Sequence, residues 1–311
     1  MKNILIIGGS YFTGRVFVEN LVRDKDYNIF VYNRGRIPLG FEKVTEIVGD
    51  RDDESRIREA VPEKEWHALV DFCAYTPDQI TKMIRSLPGV LNHYIFISTT
   101  TVYQNTWNLP ITEESPKLSG PQPELGAYGD YGYNKWLAEM TLNKECEKRG
   151  IAHTSLRPSI IYGKYNYAPR ESYFFDLIRD NKPVIIPDNG LSLFSFVWVQ
   201  DVAKVIMKCI GNEKIFNQAL NVSAEELISY QRLVEVLEEL TGKKLNIVTM
   251  KIEDIEAKGI PLPFPLDTHL IYSGRKIHQI LQFDYTPFLH GMKKTYEYYQ
   301  WLQERKGRVE N

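Results

Sequence analysis

Short apolar runs alternate with longer amphipathic stretches between residues 2 and 102. This alternation is typical of a parallel sheet covered by helices, so it predicts an α/β fold. Runs such as Ile4–Ile7 are apolar at every position, which indicates strands that are buried on both faces. Helices are predicted to begin near Gly14, Asp53 and Pro77. The five predicted strands are Asn3–Ile7, Asn28–Tyr32, Lys43–Val48, Ala68–Phe72 and His93–Ile97.

The pattern of the remaining chain is more mixed. A loop rich in proline, glycine and serine, Asn108–Gly129, precedes a predicted helix over Tyr131–Arg149. His153–Leu156 is predicted to be a sixth strand, and the elements beyond it are shorter and interrupted by prolines. We therefore predict a first domain mainly at residues 1–157 and a smaller C-terminal α/β lobe mainly at residues 158–311. Some segments of the lobe are expected to return to the first domain.

Composition and charge exclude several classes of function. The formal net charge of -2 gives no global basic field, so we expect no nucleic-acid partner. No stretch approaches the eighteen apolar residues of a membrane span, and the N-terminal apolar run is too short for the core of a signal peptide. The three cysteines, odd in number and without CxxC spacing, argue against disulfides and a metal site, and indicate a cytoplasmic protein.

A glycine-rich turn links the first predicted strand to the first predicted helix. Strand, glycine turn and helix, in this order, form the phosphate-binding unit of a Rossmann domain, because the backbone must approach a pyrophosphate at the helix N-terminus. Tyr11 stands where the middle glycine of a GxxGxxG pattern would be, and a plain tight turn is the alternative interpretation. The first domain is thus predicted to bind a dinucleotide and the lobe to bind the substrate. The residues predicted to line the cofactor in this turn are Gly8, Ser10, Tyr11, Phe12, Thr13 and Gly14.

The residue after the second strand of such a domain contacts the adenosine ribose, and NAD enzymes place an acid there. This chain has Asn33, Arg34 and Arg36 instead. Because a guanidinium suits a phosphate, NADP is favoured over NAD, although Arg34 could also be a solvated loop charge. Asp50 is predicted either to bind the adenine amino group or to cap the helix that begins nearby.

Tyr131 and Lys135 are four residues apart, so their side chains share one face of the predicted helix. A tyrosine with a reference pKa of about 10 is a poor base, but a neighbouring ammonium favours the phenolate. The pair could therefore move a proton between a substrate hydroxyl and the site. Threonines follow the strand His93–Ile97, at the sheet edge where ligands bind, and one of them could share that proton. Core packing of the tyrosines and the β-propensity of threonine are the alternatives.

Seven segments of the chain resemble the extended short-chain dehydrogenase/reductase superfamily, in its branch of NAD-dependent epimerases and dehydratases. They are spread over nearly the whole chain and follow one another in the family's order. The resemblance implies catalytic roles for Thr99, Tyr131 and Lys135, and it also implies a homodimer. Residues implied to line the cofactor are Gly8, Gly14, Ala74 and Lys135, with Pro158 after the strand beside the nicotinamide. The segments are GGSYFTG, STTTVY, YGYNK, LRPSIIYG, FSFVWVQDVA, FNQALNVS and SGRKIHQILQFDYTP.

Departures from the family pattern limit the range of reactions and substrates that the resemblance implies. Thr100 and Thr101 replace the Asp-Glu pair of the dehydratases, which disfavours dehydration. Ile160 and Phe194 replace the asparagine and the pyrophosphate-binding arginine of many nucleotide-sugar members. Either of two other arginines, at positions 170 and 275, could supply the missing charge. Tyr11 and the sequences of the segments NRGR and DFCAYTP resemble those of an atypical subgroup. This subgroup includes the chloroplast stem-loop-binding proteins and chains labelled isoflavone reductase.

The expected function is that of an NAD(P)-dependent epimerase or oxidoreductase acting on a hydroxyl or carbonyl of a sugar or nucleotide sugar. The first alternative is an NADPH-dependent carbonyl reductase with a non-nucleotide substrate, which Ile160, Phe194 and Arg34 favour. The second alternative, from another class, is a non-catalytic protein that kept the fold for binding nucleic acid or sensing a dinucleotide. A sensor needs no Tyr/Lys pair, so the pair favours chemistry.

Overall fold

A parallel eight-stranded sheet forms the centre of the computed structural model, which describes residues 1–188 and 191–309. The strands of the described residues are, in chain order, β1 (Lys2–Ile7), β2 (Tyr27–Asn33), β3 (Val44–Val48), β4 (Lys64–Asp71), β5 (Gly89–Leu91), β6 (His93–Ile97), β7 (Ala152–Pro158), β8 (Ile160–Tyr162), β9 (Val184–Pro187), β10 (Phe194–Trp198), β11 (Gln218–Val222), β12 (Leu227–Ile228) and β13 (Ile247–Met250). The large sheet has the order β11-β7-β6-β4-β1-β2-β3, and β5 pairs with β4. This order, which reverses on either side of β1, confirms the predicted doubly wound Rossmann fold.

Helices cover both faces of the large sheet. The α-helices are α1 (Phe12–Leu21), α2 (Glu54–Ala60), α3 (Pro77–Ser86), α4 (Tyr131–Glu147), α5 (Glu171–Arg179), α6 (Val199–Cys209), α7 (Tyr230–Thr241), α8 (Ile252–Ala257), α9 (Arg275–Leu281) and α10 (Phe288–Val309). One buried apolar cluster joins the sheet to α1, α6 and α9, and a second joins its other face to α2, α3 and α4. The central strands are therefore buried on both faces, as their apolar runs predict.

The predicted strands agree with the structure except at their ends. β4 begins at Lys64, four residues before the predicted start at Ala68, because Trp66 is fully buried although charged residues flank it. The predicted helix after the long loop ends at Glu147 rather than at Arg149. The short strand β5 was not predicted, since its three residues carry no periodic pattern.

Smaller sheets and an aromatic core lie in the later part of the chain. One sheet has the order β12-β10-β8, and β9 pairs with β13 in another. The core between these elements and α5, α7 and α10 is rich in aromatic side chains, among them Phe174, Phe194, Phe196, Phe264 and Phe288. β11 pairs instead with β7 in the large sheet. The boundary between residues 157 and 158 stays a prediction.

Helix α1 packs against the turn that precedes it through two glycines. A Cβ atom on Gly14 would lie 2.8 Å from the Gly9 Cα atom, closer than carbon atoms approach without strain. Gly9 itself has a φ of 77°, a left-handed conformation that side chains other than glycine rarely adopt. The close approach fixes where the N-terminus of α1 meets the carboxyl end of β1.

A buried ion pair joins α4 to β7. Glu139 and Arg157 are each 2 % exposed, and the Arg157 Nε atom donates to both Glu139 oxygens at 3.0 and 3.2 Å. The Ser98 hydroxyl also donates to Glu139, and Arg157 Nη1 donates to the Tyr103 hydroxyl at 2.8 Å. Tyr103 donates in turn to Asn221 in β11 at 2.6 Å. The ends of three neighbouring strands are thus tied to the helix that begins with Tyr131.

Within residues 1–188 and 191–309, none of the helices combines the length and the apolar character that a membrane crossing requires.

We predict that Gly14→Ala destabilises the protein by about 1–3 kcal/mol, because the added methyl group would press on the Gly9 backbone. Gly120→Ala is the matched control, since a Cβ atom there meets nothing within 4 Å. The free energy of unfolding, measured by urea denaturation followed by circular dichroism, compares the two variants. Equal stability of the two variants would contradict the packing described for Gly14.

We predict that Glu139→Gln costs about 3–5 kcal/mol of stability, because it leaves the buried Arg157 guanidinium without its carboxylate. Glu145→Gln, the same change on the same helix in the exposed pair with Lys148, should have little effect. Urea denaturation at neutral pH measures both variants. A double variant, Glu139→Gln with Arg157→Met, should recover part of the loss, and no recovery would argue against an unpaired charge as the cause.

Candidate functional site

The turn between β1 and α1 leads into a helix N-terminus that no side chain caps. Gly8 and Gly9 have φ values of 95° and 77°, so the chain turns in a way that glycine permits. Tyr11 is the N-cap residue of α1, no side chain caps the helix, and its first turn contains no acid. An uncapped helix N-terminus without a nearby carboxylate is suited to bind an anion such as a pyrophosphate.

Tyr11, which occupies the position of the middle glycine, turns its ring towards the later part of the chain. The side chain is 53 % exposed, and its ring centroid lies 5.2 Å from that of Tyr167. The Phe12 ring meets the same tyrosine edge-on at 6.0 Å. With Ser10 and Arg15, these rings line a cavity of about 220 Å³. The replacement of glycine therefore creates an aromatic contact between the turn and the segment after β8.

The adenosine end of the predicted cofactor site lies at the ends of β2 and β3. Asn33 Oδ1 accepts from the Gly35 amide at 2.6 Å, while its buried Nδ2 atom has no hydrogen-bond partner among the described residues. Arg34 is exposed, and no described residue forms a hydrogen bond or ion pair with its side chain. The Asp50 carboxylate accepts from the Asp52 amide. The alternative that Asp50 caps α2 is wrong, because Asp53 is the N-cap and accepts from the Arg56 amide at 3.0 Å.

Lys135 is the most deeply buried of the predicted catalytic residues, with an exposure of 2 %. Its Nζ atom donates to the carbonyl oxygens of Ala74 at 2.8 Å and Ile97 at 2.6 Å. The ammonium lies 4.2 Å from the centre of the Phe96 ring. Burial lowers the pKa of Lys135 to about 8, and nearby carboxylates act in the opposite direction. A third N–H of the ammonium remains for a ligand.

Tyr131 and Thr99 lie together at the carboxyl edge of the sheet. Tyr131 is 38 % exposed at the start of α4, and its ring lies 6.4 Å from that of Tyr75. Desolvation raises the pKa of Tyr131, while a hydrogen-bond interaction with Thr99 lowers it. The Thr99 hydroxyl also accepts from the Thr101 amide and hydroxyl at 3.2 and 3.1 Å. Thr99 therefore has a fixed position beside the phenol.

The strand end at Pro158 completes this edge. The Pro158 carbonyl oxygen accepts from the Thr100 hydroxyl at 3.2 Å, which ties it to the segment after β6. The Ser159 hydroxyl is buried and has no partner among the described residues, although nothing in the sequence singled it out. Two orphaned polar groups, on Asn33 and Ser159, therefore lie at the carboxyl ends of β2 and β7.

These residues fit a nicotinamide dinucleotide. The uncapped α1 could hold the pyrophosphate, the orphaned Asn33 amide could donate to a ribose hydroxyl, and the free N–H of Lys135 could donate to the second ribose. The Ser159 hydroxyl could bind the nicotinamide carboxamide.

Of the two arginines predicted as substitutes for the missing pyrophosphate ligand, only Arg170 has an effect at Tyr131. Its positive charge lowers the pKa of that phenol, and its Nη1 atom donates to the Ile161 carbonyl at 3.0 Å. Arg275 is exposed at the start of α9. Phe194 is 1 % exposed and packs 5.6 Å from the Tyr230 ring, so its position belongs to the aromatic core.

Sequence reasoning missed the buried charges that surround the site. Arg51, Asp71, Glu139 and Arg157 are each less than 9 % exposed. Glu139 could have been found, because it lies four residues after Lys135 on the same helix face. Arg157 gave a weak signal, because it is the only Lys, Arg, Asp or Glu residue within β7. Arg51 and Asp71 gave no local signal, since each lies at the end of its own strand or turn.

Comparisons with known proteins agree with this geometry. Residues 74–223 match the NAD dependent epimerase/dehydratase family. The chain is 24% identical over 296 residues to the chloroplast stem-loop binding protein of 41 kDa b of Arabidopsis thaliana. The alignment covers 90% of this chain and 74% of that protein. It is 23% identical over 278 residues to an uncharacterized UDP-glucose epimerase of Bacillus subtilis, covering 78% and 84% of the two chains.

Among solved structures, the fold is similar to that of a UDP-glucose 4-epimerase from Thermotoga maritima with UDP-glucose. The TM-score is 0.76 at 19% sequence identity, and the alignment covers 97% of this chain and 99% of the other. The matched segment begins at Ala74 and includes Thr99, Tyr131, Lys135 and Pro158. The family match covers residues 74–223, slightly less than half of the chain, and the relatives and the fold agree with it, so the chain is similar to the NAD dependent epimerase/dehydratase family.

Proposed function

We propose that the protein is an NAD(P)-dependent epimerase or oxidoreductase acting on a hydroxyl or carbonyl group of a sugar or nucleotide sugar. The observation that carries this proposal is the arrangement of Tyr131 beside Thr99, at the edge where the Lys135 ammonium is buried. The family and its UDP-glucose epimerase relatives support the substrate class.

The cofactor would be held along the carboxyl edge of the sheet. When bound, a nicotinamide dinucleotide supplies reversible oxidation of the substrate's carbinol carbon. Gly8, Ser10, Tyr11, Phe12, Thr13 and Gly14 would surround its pyrophosphate, with Asn33, Arg34 and Asp50 at the adenosine and Ala74, Lys135 and Pro158 at the nicotinamide riboside. The edge excludes water from Lys135, which strengthens every charge interaction there.

Proton transfer would fall to Tyr131. As the phenolate, its oxygen would take the proton of the substrate hydroxyl, and the Thr99 hydroxyl would hold the same substrate oxygen by a hydrogen bond. Because desolvation raises the pKa of Tyr131, the phenolate needs a positive charge nearby. Arg170 already lowers that pKa, and the Lys135 ammonium on the next turn of α4 would add to the positive charge. Arg170 is also the proposed ligand for an anionic group of the substrate.

We expect Tyr131→Phe to lower turnover about 10²- to 10⁴-fold, because the phenylalanine ring has no group that can accept the proton. NADH and NADPH binding, followed by nicotinamide fluorescence, should persist. Conversion of UDP-sugars with UDP-glucose as the first substrate, followed by ¹H NMR of the sugar signals, measures the turnover.

Tyr133→Phe is the matched control on the same helix, and it should turn over at the wild-type rate. A Tyr131→Phe variant as active as wild type would overturn the proposed chemistry. Absence of binding of either dinucleotide by the wild-type protein would overturn the cofactor assignment as well.

We propose NADP rather than NAD as the preferred cofactor, since β2 is followed by Arg34 and no carboxylate. The guanidinium is exposed and without a partner among the described residues, so it is available to a 2′-phosphate. We expect Arg34→Ala to weaken NADPH binding about tenfold or more while NADH binding changes little. Fluorescence titration with each dinucleotide tests this, with Arg232→Ala, on α7 beside the aromatic core, as control. An equal loss for both dinucleotides would refute the assignment.

A second candidate is a carbonyl reductase with a non-nucleotide substrate. Phe194 and Ile160 favour it, because neither can bind a diphosphate or a nucleotide as the family's arginine and asparagine do. The two candidates differ in their cofactor balance. An epimerase restores its cofactor in each cycle, whereas a reductase consumes NADPH in proportion to product.

We also propose a cytoplasmic location and a homodimer. Cys73, Cys146 and Cys209 are all free thiols, which suits a reducing compartment. Met140 is 41 % exposed on α4, the helix through which extended members of the superfamily are expected to pair.

A further inference from the structure

The Asp71 carboxylate is fully buried at the end of β4 and has an unusually complete set of partners. Arg51 Nη1 donates to its two oxygens at 2.8 and 3.0 Å, and the Tyr94 hydroxyl donates to Oδ2 at 2.6 Å. Arg51 Nη2 also donates to the Gln79 carbonyl at 2.8 Å, at the start of α3. The carboxylate therefore has a single position, set from three separate elements.

This carboxylate shapes the turn that follows β4. Asp71 Oδ1 accepts from the backbone amides of Cys73 at 3.0 Å and Ala74 at 2.9 Å. The carbonyl of that same Ala74 accepts from Lys135 Nζ at 2.8 Å. One hydrogen-bonded path thus runs from Arg51 through Asp71 and Ala74 to the buried ammonium.

The charges facing Lys135 come from every element packed against it. Asp71 and Glu139 are the two carboxylates, and each is neutralised by its own guanidinium, Arg51 and Arg157 respectively. Uncharged titratable groups are Cys73 and Tyr75, and the phenol of Tyr131 lies one helical turn away. No described carboxylate bonds Lys135 directly, because its hydrogen-bond partners are the backbone carbonyls of Ala74 and Ile97. The ammonium is therefore held by hydrogen bonds to two backbone carbonyls. The carboxylates of Asp71 and Glu139 act on it only through their electric field.

We propose that Asp71, itself fixed by Arg51 and Tyr94, is a positioning residue for Lys135. It orients the Ala74 carbonyl towards the ammonium and supplies the buried negative charge that keeps Lys135 protonated. The inference rests on the proposed function of Lys135 and adds to it a set of residues that do not touch substrate.

The geometry also explains why the carboxylate carries its own arginine. An Asp71 bonded directly to Lys135 would compete with the ligand for the third N–H of the ammonium. With Arg51 bound to both carboxylate oxygens, Asp71 acts on Lys135 only through the turn and through its remaining field. The Asp71 charge raises the pKa of Lys135 more than the Arg51 charge lowers it. The pair as a whole therefore favours the protonated lysine.

The test is the pKa of Lys135 itself, measured by ¹³C NMR of the lysine ε-carbons in the full-length protein without substrate. Lys135→Met assigns the signal. In Asp71→Asn, an amide oxygen can still accept from the turn but the negative charge is gone, so the pKa of Lys135 should fall by about one unit or more. Asp201→Asn is the matched control, because that carboxylate is 1 % exposed and binds Thr286 on the other face of the sheet.

A pKa of Lys135 that is unchanged in Asp71→Asn, or that falls equally in Asp201→Asn, would overturn the proposal. Should Asp71→Asn fail to fold around the unpaired Arg51, the double variant Asp71→Asn with Arg51→Met tests the proposal instead. It removes both charges of the pair, so no buried charge is left unpaired. A smaller fall in the same direction is expected there. The NMR titration requires no turnover. It therefore tests the effect of Asp71 on the pKa of Lys135 even if the protein lacks the proposed catalytic function.

Discussion

The burial of one ammonium, that of Lys135, is the constraint on which the rest of the site depends. A lysine that is 2 % exposed is costly unless its charge is compensated. The compensation comes from two carbonyls, at Ala74 and Ile97, and from carboxylates that are themselves buried and paired with arginines. Each of these groups lies at the carboxyl end of a parallel strand or on the helix above it. The compensation of the Lys135 charge therefore depends on the order of the strands in the sheet.

The same arrangement leaves Tyr131, the proposed proton-transfer group, little freedom to move. Tyr131 begins the helix that carries Lys135, and Glu139 anchors that helix one turn further to Arg157 in β7. Thr99 follows the neighbouring strand and is fixed by the Thr101 amide. The relative positions of phenol, hydroxyl and ammonium are thus set by strand register and by buried polar bonds. Such rigid support is what proton transfer over hydrogen-bond distance requires.

The sequence predicts much of this, and the physical reason is local pattern. Continuous apolar runs identify the central strands, and the four-residue spacing of Tyr131 and Lys135 places them on one helix face. The pairing of Arg51 with Asp71 could not be predicted, because it depends on where β3 and β4 lie in the sheet, with β1 and β2 between them. β4 was predicted four residues short for a related reason. Trp66 is buried against partners that are distant in the sequence, among them the Phe30 ring of β2 and the Pro88 carbonyl, and its charged neighbours do not show this.

Tyr11 shows how a departure from a motif can be accommodated by the rest of the chain. A glycine at the middle position normally lets the backbone approach a pyrophosphate. Here the extended backbone of Tyr11, with φ of -133°, suits a side chain, and the flanking glycines still supply the left-handed turn. The ring leaves the helix N-terminus and contacts Tyr167, so the amides remain uncovered by a capping side chain. The replacement of glycine by tyrosine therefore leaves the proposed phosphate-binding N-terminus uncapped, and it adds a contact to the segment after β8, which bears Arg170.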